Sequence, residues 1–331
     1  MNYSYFVGID LGKKTFDASL ISREEKEVSH CRFDNTKDGI TKMLSWISNN
    51  KVDFREVLFC AENMGNYCYD LALSSQMHSF SLSLACPLSI KRSIGIQRGK
   101  NDRIDSRRIA TYALLHQRKL STYVLPDQLL VELKGLLIIR EQLVKQKVSF
   151  QKLLETISGF GKIANTNMQQ EFLNAEVAQV KVKIKNIEKQ MQELVEKDQS
   201  IHQNFKLLTS ITGIALINAV VLITSTENFS KFENNRKFAC YCGVAPFEHT
   251  SGISIKGKTK VSSLANRKIK VYLTRAAITA ITWDPQLKTY YERKIKQGKH
   301  KASVINAVRA KIIARCFAVV KRKTPFVSLV A

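Results

Sequence analysis

"YFVGIDLGKKTFDASLIS" (residues 5–22) decides how this chain is read. An apolar run leads into one carboxylate, Asp10, then a glycine and two lysines, and a second apolar run opens at Thr15. Short apolar or alternating runs separated by polar, turn-like pieces are the pattern of sequential strands. Residues 3–9, 15–22 and 28–34 fit it, so Asp10 is expected at the end of a buried first strand.

Downstream, residues 37–49 have helical spacing with Asp38 near the start. "EVLFCAE" (56–62) reads as a buried strand ending in Glu62, and 66–76 as a helix. "SFSLSLA" (79–85) alternates as a strand closed by Pro87, and 103–117 is helical. Three strands followed by alternating helices and strands predict a mixed sheet flanked by helices. That is the order of a ribonuclease-H-like, or RuvC-like, α/β domain, assigned to residues 1–122.

Four acids stand out: Asp10, Glu62, and the pair Asp102 and Asp105 in "KNDRIDSRRIA", whose spacing of three puts both on one helical face. In such a sheet the first and fourth strands are central neighbours, and the following helix carries its acids over the same edge. Gathered carboxylates repel unless cations fill the gap. Oxygen-only ligands favour Mg2+, and two such ions hold the attacking and leaving oxygens of a phosphodiester. Lys13, Lys14, Arg98, Lys100 and Arg103 would then receive the nucleic-acid backbone. Singly, the acids also read as a turn residue, a surface acid and helix-start charges. "GIDLG" also opens actin-like sugar kinases and ATPases, but the second DxG loop and Gly-rich adenosine site they need are not found.

After Pro126 the texture changes. Leu129, Leu136, Leu143, Phe150 and Ile157 recur every seven residues, and Leu173, Val177, Val180, Ile184, Ile187, Met191 and Leu194 step by four and three. This is a coiled-coil seam, assigned to a helical segment at 123–204 that forms an intramolecular hairpin or a dimer arm. Residues 205–331 form a mostly α-helical, basic domain. In it, 207–223 reads as helix, turn at Gly213 and helix, "ENNRKFACYCGVAP" holds a short helix, and 268–281 and 301–320 are further helices. "HTSGISIKGKTK" (249–260) reads as a basic loop.

Lys and Arg total 52 against 28 Asp and Glu, for a net charge of +24 and a pI near 9.8. From Ser254 to Ala331 there are 19 basic residues and two acids, Asp284 and Glu292. That is a footprint for a polyanion. A membrane surface is disfavoured, because the charge is not confined to one amphipathic helix. No apolar stretch approaches the roughly 18 residues of a membrane span, and the start lacks a signal-peptide layout. Seven cysteines without a CxxC pair argue against a disulfide frame or zinc site. A reduced, cytoplasmic setting is expected.

"VGIDLGKKTFDASL", "AENMGNY" and "KNDRIDSRRIA" resemble the three DEDD blocks of the IS-one-ten family of insertion-sequence transposases, related to the Piv DNA invertases. "FENNRKFACYCGVAPFEHTSG" and "KGKTKVSSLANRKIKVYLTRAA" resemble that family's second conserved region, so the resemblance spans almost the whole chain. Met64 stands where the family often has threonine, and Ala265 where a glycine often precedes Asn266.

The resemblance implies DNA strand cleavage and exchange by a homo-oligomer, a dimer or tetramer, acting on double-stranded donor and target DNA. It implies guidance by a structured noncoding bridge RNA and a cytoplasmic, nucleoid-associated location in a bacterium or archaeon. Asp10, Glu62, Asp102 and Asp105 would be Mg2+ ligands, and Ser251, from the family's SG motif, the nucleophile. Taken alone, Ser251 reads as a turn or cap residue; Thr250 is its neighbour and His249 a candidate local base. Lys256, Lys258, Lys260, Arg267, Lys268, Lys270 and Arg275 would contact phosphate without reading sequence. The competing readings are a metal-dependent junction nuclease that uses activated water, and a nonenzymatic nucleic-acid-binding protein.

Overall fold

The computed structural model describes residues 3–93, 95, 101–251 and 255–327, with backbone alone at 249–251, 255–256 and 258. The chain divides into two compact units, Met1–Leu125 and Pro126–Ala331.

The first unit runs β1 (Tyr5–Leu11), β2 (Thr15–Ser22), β3 (Glu27–Asp34), α1 (Lys37–Asn49), β4 (Val57–Glu62), α2 (Tyr69–Met77), β5 (Ser81–Ala85), α3 (Pro87–Ser93) and α4 (Asp102–His116). The sheet order is β3-β2-β1-β4-β5. The first three strands form an antiparallel meander, while β1, β4 and β5 pair in parallel. The predicted mixed sheet flanked by helices is therefore present.

Strand alternation sorts its side chains. Val7, Ile9, Leu11, Val57, Phe59 and Ala61 pack on one face with Ile40, Met43 and Ile47 of α1. The α1 stripe recurs at three- and four-residue steps, and Thr36 caps the helix by accepting from the Gly39 N–H at 3.2 Å. Each such buried aliphatic side chain contributes about 1.5–3 kcal/mol. On the opposite face Phe6, Leu58 and Cys60 pack with Ile109, Ala110 and Ala113 of α4. Pro87 does close β5, but it also begins α3, which the sequence reading did not anticipate; proline is tolerated at a helix start because its missing N–H would be unpaired there anyway.

The second unit runs α5 (Gln128–Phe160), α6 (Asn167–Lys197), α7 (Gln199–Thr209), α8 (Leu216–Thr226), α9 (Asn235–Tyr241), β6 (Pro246–Ser251), β7 (Ile255–Val261), α10 (Arg267–Trp283), α11 (Pro285–Lys296) and α12 (Lys301–Arg322). α5 and α6 pack along one another as an intramolecular hairpin. Leu173, Val177, Val180, Ile184 and Met191 are buried along α6, and Arg140 donates across the seam to Glu188 at 2.7 Å. At the root, Leu130, Leu133, Leu137, Met191 and Val195 join the core built by α7, α8, α10 and α12.

Two expectations need correction here. The stretch read as a basic loop is largely the antiparallel hairpin β6–β7, with Pro246 opposite Val261 and Ser251 opposite Ile255. Between α10 and α12 lies the unpredicted α11. Asp284 caps it by accepting from the Leu287 N–H at 2.9 Å, Pro285 opens it, and Arg315 of α12 donates to the buried Asp284 carboxylate at 2.5 Å. Cys242 and Cys316 are buried here as small apolar groups, and burial pushes both thiols up to about 12. No helix among the described residues is long and apolar enough to cross a membrane.

Candidate active site

The ends of β1 and β4 bring carboxylates to one sheet edge. The parallel register pairs Ile9 with Ala61, so Asp10 and Glu62 come one step later on neighbouring strands. Both fall on the α4 face, in alternation with Gly8 and Cys60. Across the antiparallel side, Asp10 pairs with Asp17, and Asp17 in turn pairs with Arg32 of β3. One row of the sheet thus reads Arg32, Asp17, Asp10, with Glu62 beside its end.

Gly8 brings the second pair of acids down onto this row. A Cβ there would stand 2.0 Å from the Ser106 carbonyl oxygen and 2.1 Å from the Ala110 nitrogen, so α4 lies backbone to backbone against β1. Ser19 and Ser106 share a hydroxyl hydrogen bond of 2.8 Å in the same contact. The first turn of α4, capped by Asn101 accepting from the Ile104 N–H at 2.8 Å, carries Asp102 and Asp105.

The other three predicted acids act on Asp10. Burial first, then the charges of Asp105, Glu62, Asp102 and Asp17, push the Asp10 carboxyl up to about 6. The edge is therefore short of positive charge. Arginines supply part of it: Arg108 donates to Asp105 at 2.8 Å, and Arg32 donates to Asp102. Arg32 is itself anchored on Asp17, which is only 4% exposed and also accepts from His30 at 2.9 Å. Among the described residues no three His, Cys, Asp or Glu side chains stand in a ready-made metal-holding group. The donor set is nonetheless all oxygen, and the carboxyl at its centre is destabilised in its charged form by its neighbours. That chemistry fits a hard divalent cation.

The remaining predicted residues are distributed as follows. Lys13 and Lys14 are exposed in the β1–β2 turn, while Arg98 and Lys100 lie outside the described residues. Arg103 is paired with Glu27 at 2.5 Å. Ser251 ends β6 in the second unit; its side chain, and those of Lys256 and Lys258, fall outside the description. Lys260, Arg267 and Arg275 are exposed. Lys268 pairs with Glu141 at 3.1 Å, and Lys270 donates to the Gly243 carbonyl at 2.7 Å. Sequence reasoning missed Asp17, His30 and Arg32. Counting strand register across the Gly12–Lys14 turn would have found Asp17 opposite Asp10.

Residues 7–158 match the family model DEDD_Tnp_IS110, described as Transposase, and residues 205–292 match that of the Transposase IS116/IS110/IS902 family. The pilin gene-inverting proteins of Moraxella bovis and Moraxella lacunata are each 25% identical over 325 residues, 97% of this chain and 97% of theirs. The insertion element IS110 uncharacterized 43.6 kDa protein of Streptomyces coelicolor is 30% identical over 112 residues, 34% of this chain and 27% of its own. The first matched segment takes in most of the first unit and runs on into α5, the second lies within the second unit, and together they cover most of the sequence. The chain belongs to the IS110 family of transposases and Piv-like recombinases.

Proposed function

We propose that this protein is an RNA-guided DNA transposase whose first unit is a ribonuclease-H-like DEDD domain and whose second unit supplies a serine nucleophile. The observation that carries the reading is the convergence of Asp105, Glu62 and Asp102 on a half-buried Asp10 whose carboxyl is raised to about 6. Asp10, Glu62, Asp102 and Asp105 would hold Mg2+. When bound, the ions supply Lewis-acid stabilisation of charge developing on phosphodiester oxygens.

The chain's own groups do the rest. The Ser251 oxygen attacks phosphorus, a serine–phosphate ester forms, and the bond from phosphorus to one deoxyribose oxygen breaks. The serine proton leaves to solvent or to the departing oxygen. Serine is a weak nucleophile at its ordinary pKa and needs this activation. The ester conserves the phosphodiester bond energy, so a second strand's hydroxyl reverses the step without ATP. Basic side chains of the second unit position the backbone, and a guide RNA supplies sequence by base pairing. Cutting more than one strand calls for a dimer or tetramer.

The test uses the full-length protein, its copurifying RNA, Mg2+ and a plasmid carrying the element's ends. The wild type gives cleavage and a protein–DNA adduct that survives denaturation, and Asp10→Ala abolishes both. Ser251→Ala abolishes the adduct. Cleavage by Ser251→Ala at the wild-type rate would replace the serine ester with attack by activated water. Sequencing of the copurified RNA recovers one structured species encoded beside the gene; random cellular RNA would remove guidance from the reading.

A further inference from the structure

Lys270 and Arg309 sit in the second unit where α10, α12 and the chain entering β6 meet. Lys270 Nζ donates to the Gly243 carbonyl at 2.7 Å. Asn306 Nδ2 donates to the next carbonyl, Val244, at 2.7 Å, and Arg309 Nη1 donates back to Asn306 Oδ1 at 3.0 Å. Two cations are thus tied to consecutive peptide groups just before the hairpin. Gly243 is needed at that point: its φ is +65° and a Cβ would meet the Ala265 Cβ at 2.7 Å.

These cations lack what their neighbours have. Arg315 on the same helix is neutralised by Asp284, and Lys268 by Glu141. Among the described residues Lys270 has no such relief: burial, then Arg309, then Arg267, push its ammonium down. Burial alone pushes Arg309 down. The Nε–H of Arg309 is buried with no hydrogen-bond partner among the described residues. Desolvated like charges and an orphaned donor oppose folding. Such a group persists where an absent partner completes it. An anion with several acceptor oxygens, able to meet a guanidinium edge and an ammonium together, would offset both the like charges and the orphaned donor. A phosphodiester meets that description.

We propose that Lys270 and Arg309 form a binding notch for a single phosphodiester group of nucleic acid at the root of the β6–β7 hairpin. The notch rests on the reading that this unit grips nucleic acid. It adds Arg309, absent from the sequence-level basic set, and ties backbone binding to the peptides that launch the strand ending in Ser251. DNA and RNA offer the same phosphate chemistry, so the experiment separates them.

Binding of the full chain to fluorescent duplex DNA and single-stranded RNA is measured by anisotropy across a salt series. Arg309→Met and Lys270→Met each weaken binding about tenfold. Each also lowers the slope of log K against log salt by about 0.9 on duplex or 0.7 on single strand, one phosphate's worth. Loss on duplex alone assigns the notch to DNA, loss on RNA alone to RNA, and loss on both to either backbone. Lys42→Gln, at an exposed lysine of the first unit that pairs with Asp38 at 2.7 Å, changes neither. Without nucleic acid, Arg309→Met melts at or above the wild-type temperature, since it removes an unsatisfied buried donor. If Lys270→Met fails to fold, Arg309→Lys replaces it and loses affinity while keeping charge. A folded Arg309→Met with unchanged affinity and slope on both probes overturns the notch, as does an Arg309→Met that melts well below wild type. A wild type that binds neither probe instead removes the function proposed above.

Discussion

A Cβ at residue 8 would collide with three backbone atoms of α4, and none of them belongs to a side chain that can turn aside. Gly8→Ala is therefore expected to lower stability by about 2–3 kcal/mol, measured by denaturant unfolding, because helix and strand must separate. The same displacement lifts Asp105 off Asp10. The Asp10 carboxyl, raised from 3.8 to about 6, gives a pH dependence with a definite sign. Its folded pKa exceeds its unfolded one, so the folded state binds the extra proton. Without divalent ions, stability is undiminished below pH 4 and falls as pH rises through 6. Asp10→Asn removes that fall. At pH 7 in chelator the variant is expected to be more stable than wild type by about 1 kcal/mol, after discounting for solvent screening, and at pH 4 to be equal. Arg32 gives a third test. Asp102 is 63% exposed at its side chain, and Arg32, anchored on buried Asp17, ties it to the sheet. Arg32→Gln is expected to weaken Mn2+ binding by about tenfold in calorimetry, as loss of an orienting partner does. Asp10, Glu62, Asp102 and Asp105 were legible because each sits at an element end that its local pattern marks. Asp17 and Arg32 were not, since their meaning comes from pairing across three strands, which no local window contains.

Elements with a continuous apolar stripe were readable. α1 spans the residues its periodicity predicts, and the α6 seam is buried where its steps of three and four fall. β6–β7 reads as a loop in sequence because it is largely polar, and its described side chains, Phe247, Lys260 and Val261 among them, are exposed rather than sorted into a buried face. α11 was overlooked for a related reason: among its residues only Leu287 is buried, so periodicity is mute. Its start signal, an aspartate followed by proline, was present all the same. The pair that fixes this helix is testable. Asp284→Ala removes the cap and leaves the Arg315 guanidinium half-buried without its carboxylate. A loss of about 3–5 kcal/mol is expected by thermal or chemical denaturation. Arg315→Met in the same background should recover part of it, because the stranded charge is gone.

Each unit has a core of its own. The buried clusters of residues 6–113 and those of residues 130–319 share no member, and the units divide at Leu125. Calorimetry of the full chain is expected to show two transitions, and a fragment of residues 126–331 to fold alone and retain most of the salt-sensitive binding to duplex DNA. A single transition that vanishes in the fragment would show the units to be interdependent. Within the second unit, α5 is 33 residues long, about 50 Å at 1.5 Å per residue. Its buried leucines, 130, 133 and 137, all lie in the first three turns. The hairpin of α5 and α6 is in effect a lever whose fulcrum is set in the core. A tilt of about 5° at that fulcrum sweeps the far turn through about 3.5 Å over an arm of about 40 Å. Small repacking around Leu133 is thereby converted into travel at Phe160, a mechanical gain that comes from helix length alone.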